Sequence, residues 1–230
     1  MFLEDLPIHY DGLQKDILTS LDKAEEEFES IYPTFYQNLK DELDLSGDVD
    51  FVSSMLYLDT YYSFKDNSLS HKRLNKETED QAKEYFKYYY DEGLFGDENI
   101  NRVFTHYFLT SLLHDFYTKL QNYQDRAYSD KQVTQLKASL YFGEYKTAQV
   151  LLKALGEDYD FFPKYAEQII FELYDRDTQP YVYASHNGVP LKLGGKAEKG
   201  HIMFNVFMDY ICDRIYYGSI DDVKTGDEKY

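Results

Sequence analysis

QIIFELYDRDTQPYVYASHNGVPLKL, residues 168–193, decides the fold class. QIIFELY (168–174) and PYVYASH (180–186) are rich in β-branched and aromatic residues, the composition of strands. Asp175 to Asp177 reads as the turn between them, so the two runs predict a hairpin. Asn187-Gly188 is a turn signal, because both residues tolerate the left-handed backbone of a tight connection. VPLKL (189–193) is then a third short extended piece. Upstream, ASLYF (138–142) reads as another strand. Thr147 to Leu155 reads as a helix with Leu151, Leu152 and Leu155 inward, and Gly156 is its natural stop. Downstream, Gly194-Gly195 opens a loop and residues 201–217 form an aromatic amphipathic helix.

The chain before this region is helical in pattern. Leu21, Ala24, Phe28 and Ile31 recur at helical spacing within 11–42, and Pro33 breaks that run. Ser46-Gly47-Asp48 turns into a second helix carrying Phe51, Met55 and Leu58. Residues 65–75 are polar and loop-like, a third helix covers 76–93, and a fourth runs from 98 to 121. In the fourth, Val103, Phe104, Tyr107, Phe108, Leu112 and Phe116 make an apolar stripe. A polar linker follows at 121–135. The organisation expected is a helical subdomain (1–130), a partial α/β subdomain (131–218) and a polar tail (219–230), an α/β fold class overall.

The totals exclude several functions. Hydrophobic residues make up 43% of 230 residues, which is a globular composition. The net charge of −18 repels phosphate backbones and anionic lipid heads, which argues against nucleic-acid and membrane-surface binding. Aromatics reach 18%, with 25 Tyr, 16 Phe and no Trp; tyrosine combines an apolar body with a polar tip and suits interfaces. Cys212 is the single cysteine, so no internal disulfide forms. MFLEDLPIHY lacks the apolar core of a signal peptide, and no stretch approaches a membrane span. These features leave the compartment open and favour an intracellular location, with an organellar complex as the alternative.

LYFGEYKTAQVLLKALG, Leu140 to Gly156, resembles the LYSGHDTTxxxLLxALG segment of the histidine acid phosphatases. Leu140, Tyr141, Gly143, Thr147, Leu151, Leu152, Ala154, Leu155 and Gly156 match. The likeness continues through Pro163, Tyr165 and Ala166, through Phe171-Glu172-Leu173-Tyr174, and through Tyr181-Val182, Asn187-Gly188 and Pro190-Leu191. Ile31-Tyr32-Pro33, Asp59 and Arg102 fall in the family's order in the helical part. The resemblance implies the C-terminal half of such a fold: a partial, mostly parallel sheet with flanking helices, in which Ala138–Phe142 lies beside the family's R-H-G-x-R-x-P strand. That signature is missing. No Arg-His-Gly occurs, and the five arginines, Arg73, Arg102, Arg126, Arg176 and Arg214, all lie after residue 72.

The resemblance also implies lost chemistry. The family's His contacts the phosphate and its Asp protonates the leaving oxygen; Glu144 and Tyr145 stand at those positions. A carboxylate repels the dianion, and a phenol with a pKa near 10 is a poor acid at neutral pH. With nucleophile, acid and cation clamp gone, no catalytic residue, cofactor or metal is expected. His114-Asp115 is a decoy, because adjacent helix residues point about 100° apart. His9, His71, His106, His186 and His201 have no metal-ligand spacing. Glu25, Glu26 and Glu27 read as a solvated helix face, Gly194-Gly195 lacks the context of a phosphate loop, and Cys212 reads as a buried thiol. A strand at Ala138–Phe142 without its neighbour would leave an apolar edge, so other protein subunits are expected to cover it. The function expected is an inactive, phosphatase-like structural subunit of a protein complex. One alternative is half of a split phosphatase completed in trans by the R-H-G strand. Another is a sensor that binds phosphorylated metabolites without turnover.

Overall fold

A computed structural model describes residues 11–69, 72–124, 138–143, 145–157 and 166–217. The described residues up to Ile100 form one compact unit, and those from Asn101 to Tyr216 form a second.

The first unit is helical. It holds α1 (Asp11–Ile31), α2 (Phe35–Leu43), α3 (Phe51–Asp66) and α4 (Lys76–Lys87), and α4 continues into a π-helical stretch, Tyr88–Leu94. Pro33 separates α1 from α2, as its missing N–H and fixed φ require. Asp50 opens α3 with a reciprocal cap: its carboxylate accepts the Ser53 N–H at 2.7 Å, and the Ser53 hydroxyl accepts the Asp50 N–H at 2.9 Å. Asn75 caps α4 by accepting the Thr78 N–H at 3.0 Å. The Glu42 carboxylate ties α2 to this corner, accepting from the Asn75 N–H at 2.7 Å and the Thr78 hydroxyl at 2.9 Å.

The core of this unit is aromatic. Phe28 meets Phe35 edge-on at 5.1 Å and Tyr85 at 5.6 Å, and Phe51 meets Tyr85 at 5.2 Å. All four rings are buried. The Tyr85 hydroxyl donates to the Phe51 carbonyl, so its polar tip is satisfied in the apolar interior. Gly93 lets the π-helical stretch sit against α1, where a Cβ would lie 2.8 Å from the Leu21 side chain.

The second unit holds nearly all of α5 (Glu98–Gln124), then α6 (Tyr145–Ala154), β1 (Ile169–Arg176), β2 (Gln179–His186), β3 (Val189–Pro190), β4 (His201–Met203) and α7 (Phe204–Cys212). The sheet is antiparallel throughout, which overturns the mostly parallel sheet and makes the chain a mixed α+β protein. The connections dictate this. β1 and β2 are joined by Asp177-Thr178 alone, and β2 and β3 by Asn187-Gly188 alone; two residues close an antiparallel pair and cannot cross over to a parallel one. All four turn residues have φ between 49° and 78°, as primed turns require.

β2 is the middle strand. β1 pairs with the whole of one edge, while the other edge is shared by β3 at Ser185 and His186 and by β4 at Tyr181 to Tyr183. One sheet face supplies Val182, Ala184 and Ile202 to a core with Leu109, Leu152 and Phe207. Two further expectations are corrected. Ala138–Phe142 forms no strand, so it presents no sheet edge. The segment from His201 begins as β4, and α7 covers only Phe204–Cys212.

Candidate interaction site at Ser139–Phe142

The position expected to have lost its chemistry is only partly described. Glu144 lies outside the described residues, as does the side chain of Tyr145, whose backbone opens α6. Gly143 precedes them in close contact with the helix: a Cβ there would lie 2.7 Å from the Thr147 hydroxyl oxygen.

The preceding residues form a fastened segment. The Ser139 hydroxyl donates to the Asp115 carboxylate at 2.7 Å, and the Tyr141 hydroxyl donates to the same oxygen at 3.1 Å. The Tyr141 ring packs edge-on against Phe108 at 5.0 Å. Phe108 and Asp115 are seven residues apart on α5, two turns along one side of the helix, so they hold both ends of the tyrosine. Burial pushes the Tyr141 phenol upward, and the hydrogen bond to Asp115 with its negative charge adds to that shift. Tyr141 therefore stays a neutral donor at physiological pH.

What this fastening presents is apolar. Leu140 is 79% exposed and Phe142 94%. A large apolar side chain in water gains nothing from folding, and two of them flanking an anchored tyrosine are a candidate contact surface. The arrangement suits non-covalent contact. Asp115, read from sequence as half of a decoy, is the anchor of this segment.

The remaining candidates do not converge. His9 and His71 lie outside the described residues. His186 lies 3.5 Å from the Glu167 carboxylate, and the His201 ring shares a 2.8 Å hydrogen bond with the Tyr174 hydroxyl. No group of metal-ligating side chains occurs among the described residues. Gly194 lies against Tyr210, and the preceding Leu193 N–H is taken by the Glu157 carboxylate. An internal anion is thus already in place beside that loop. Glu26 and Glu27 are exposed as expected, but Glu25 is half-buried. Burial raises the Glu25 pKa, and a hydrogen bond from the Phe51 backbone opposes the shift. Cys212 is partly exposed rather than buried. An open depression lined by Tyr32, Lys76, Glu77, Asp80, Gln81 and Glu84 is acidic and unsuited to a phosphate ester. No helix of the described residues is long and apolar enough to cross a membrane.

No family model matches the chain, and no curated protein matches it.

Proposed function

We propose that the chain is a non-catalytic interaction subunit of a larger protein assembly, and that Ser139–Phe142 is one of its docking segments. The observation that carries this reading is the solvent-facing pair Leu140 and Phe142, held outward by the Asp115 and Phe108 contacts of the residues beside them. A partner burying both side chains would remove enough apolar surface to contribute about 3 to 5 kcal/mol before the costs of association. Contact runs through side chains, because the segment offers no strand edge for a partner strand to extend. The likeness of Leu140–Gly156 to the histidine acid phosphatases fits this reading as ancestry, with Glu144 and Tyr145 in place of the pair that would act on a phosphate ester.

Light scattering behind a sizing column tests the proposal on the purified chain. Wild type is expected to associate increasingly with concentration at physiological salt. Leu140→Ser with Phe142→Ser should retain the helical spectrum and elute as a monomer. If wild type is monomeric at every concentration and the double variant is indistinguishable from it, the segment is not a docking element. Hydrolysis of p-nitrophenyl phosphate above the uncatalysed rate would remove the non-catalytic part of the proposal.

A further inference from the structure

α3 carries large apolar side chains on both of its sides. Its inner side buries Phe51, Met55, Leu58 and Tyr62 in the aromatic core. Its outer side carries Val52, Leu56, Thr60 and Phe64 at an unbroken spacing of four. The three apolar members are 46%, 49% and 50% exposed, and Thr60 is exposed as well. Residues four apart form one of the ridges by which helices pack into each other's grooves, and this ridge runs about 18 Å along the helix. A row of large apolar side chains left this exposed is a surface that a second layer would cover. Within the described chain that layer is missing from the outer side of α3.

The charge around the ridge selects what would cover it. Residues 1–100 contain 24 acidic and 9 basic side chains, so −15 of the chain's −18 belongs to this part of the sequence. Asp59 and Asp66 are exposed on α3 itself, and Lys65, the helix's one basic residue, is paired with Glu79. A second copy would bring a like charge to the same place, and an anionic surface is repelled. An apolar ridge flanked by Asp59 and Asp66, in a part of the chain with this acidic excess, matches a helix with an apolar stripe and lysine or arginine flanks.

We infer that the outer face of α3 is a docking site for a basic amphipathic helix of a partner protein, seated on the Val52–Leu56–Thr60–Phe64 ridge. This site is separate from Ser139–Phe142, and the failure of either leaves the other standing.

A capped peptide of about 16 residues, Leu and Lys with Leu at helical spacing, spans the ridge as a helix about 24 Å long. Its binding to the full chain at physiological salt is read by fluorescence anisotropy. The peptide should bind and should protect α3 amides from exchange, whereas a Leu/Glu peptide of the same pattern should not bind. Leu56→Gln with Phe64→Gln should weaken binding about tenfold or more with an unchanged helical spectrum and melting temperature. Thr60→Lys, a change at an exposed position, should weaken the basic peptide on its own, so the test does not depend on the double variant folding. Overturning results are no binding to wild type, equal binding of the acidic peptide, or undiminished binding to both variants. A wild-type dimer that the double variant converts to monomer would also overturn the inference, because the occupant would then be a second copy.

Discussion

Gly188 and Gly200 have nearly the same backbone, with φ of +78° and +83°, but they meet different surroundings. Nothing lies within 4 Å of a Cβ on Gly188, whereas on Gly200 it would sit 2.8 Å from the Ala184 carbonyl oxygen. Gly188→Ala should therefore cost only the left-handed strain, about 1 kcal/mol. Gly200→Ala should cost about 3 kcal/mol, because the Ala184 carbonyl and the hydrogen bond from the Ala184 N–H to the Gly200 carbonyl must shift too. Amide exchange of the β1–β2 ladder measures both, and equal losses would contradict the account. The sequence reveals Gly188, since Asn-Gly between two strand-like runs names its turn. It does not reveal Gly200, whose demand comes from a neighbour 16 residues away. Nor does it reveal Asp115, which reads as an ordinary helix residue until Ser139 and Tyr141 are placed beside it. Thr178 misleads in the other direction: a β-branched residue at φ 69° is one that local preference would not put in a primed turn.

Helices were the most legible elements. Pro33, the Ser46–Asp48 turn and the apolar periodicity place α1, α2 and α3 where they occur, because these signals act within a few residues. Strands are different, since a strand exists only with a partner. Ile169–Arg176 and Gln179–His186 bring their own partner within two residues and were readable; ASLYF, apolar but with no β-branched residue, has no strand partner among the described residues and forms no strand. The parallel arrangement was suggested by resemblance alone, and the two-residue connections override it. β4 is three residues long at the mouth of α7, too short to register as a pattern. The start of α3 offers a test at this scale. The hydrogen bonds from the Ser53 backbone and hydroxyl hold the Asp50 carboxyl below its usual pKa. A carboxylate with a depressed folded pKa contributes stability above the unfolded value, near 3.9, and loses it as pH falls through the folded value. Asp50→Ala should therefore cost about 1 kcal/mol at pH 7 and progressively less below pH 4, measured by urea unfolding followed at the helices. A cost that does not change with pH would mean that the carboxylate is not the cap.

Across the whole molecule, charge and apolar exposure are divided unevenly. The acidic excess belongs to the first hundred residues, together with the ridge on α3, while Leu140 and Phe142 belong to a later part with little net charge. The two proposed docking features thus differ in chemistry. Neither was visible as a motif, because exposure is a property of the packed chain and a leucine reads the same whether it is buried or not. The aromatic core has a further consequence, for the protein's tolerance of base. Burial pushes the phenols of Tyr36, Tyr62, Tyr85 and Tyr89 upward, with that of Tyr85 furthest from water. In the unfolded chain they would ionise at about pH 10. A group whose folded pKa is raised gives stability that is complete below the unfolded value and drains away as pH climbs toward the folded one. With four such groups in one helical unit, the loss should be steep. The part of the phenolate absorbance that belongs to these four buried tyrosines is expected to lag behind that of exposed ones such as Tyr107 and Tyr217, and to rise together with the collapse of helical ellipticity. A phenolate titration that runs to completion while ellipticity is unchanged would contradict this. For a chain without tryptophan, the tyrosines that hold the helices together would also be the chromophores that report their parting.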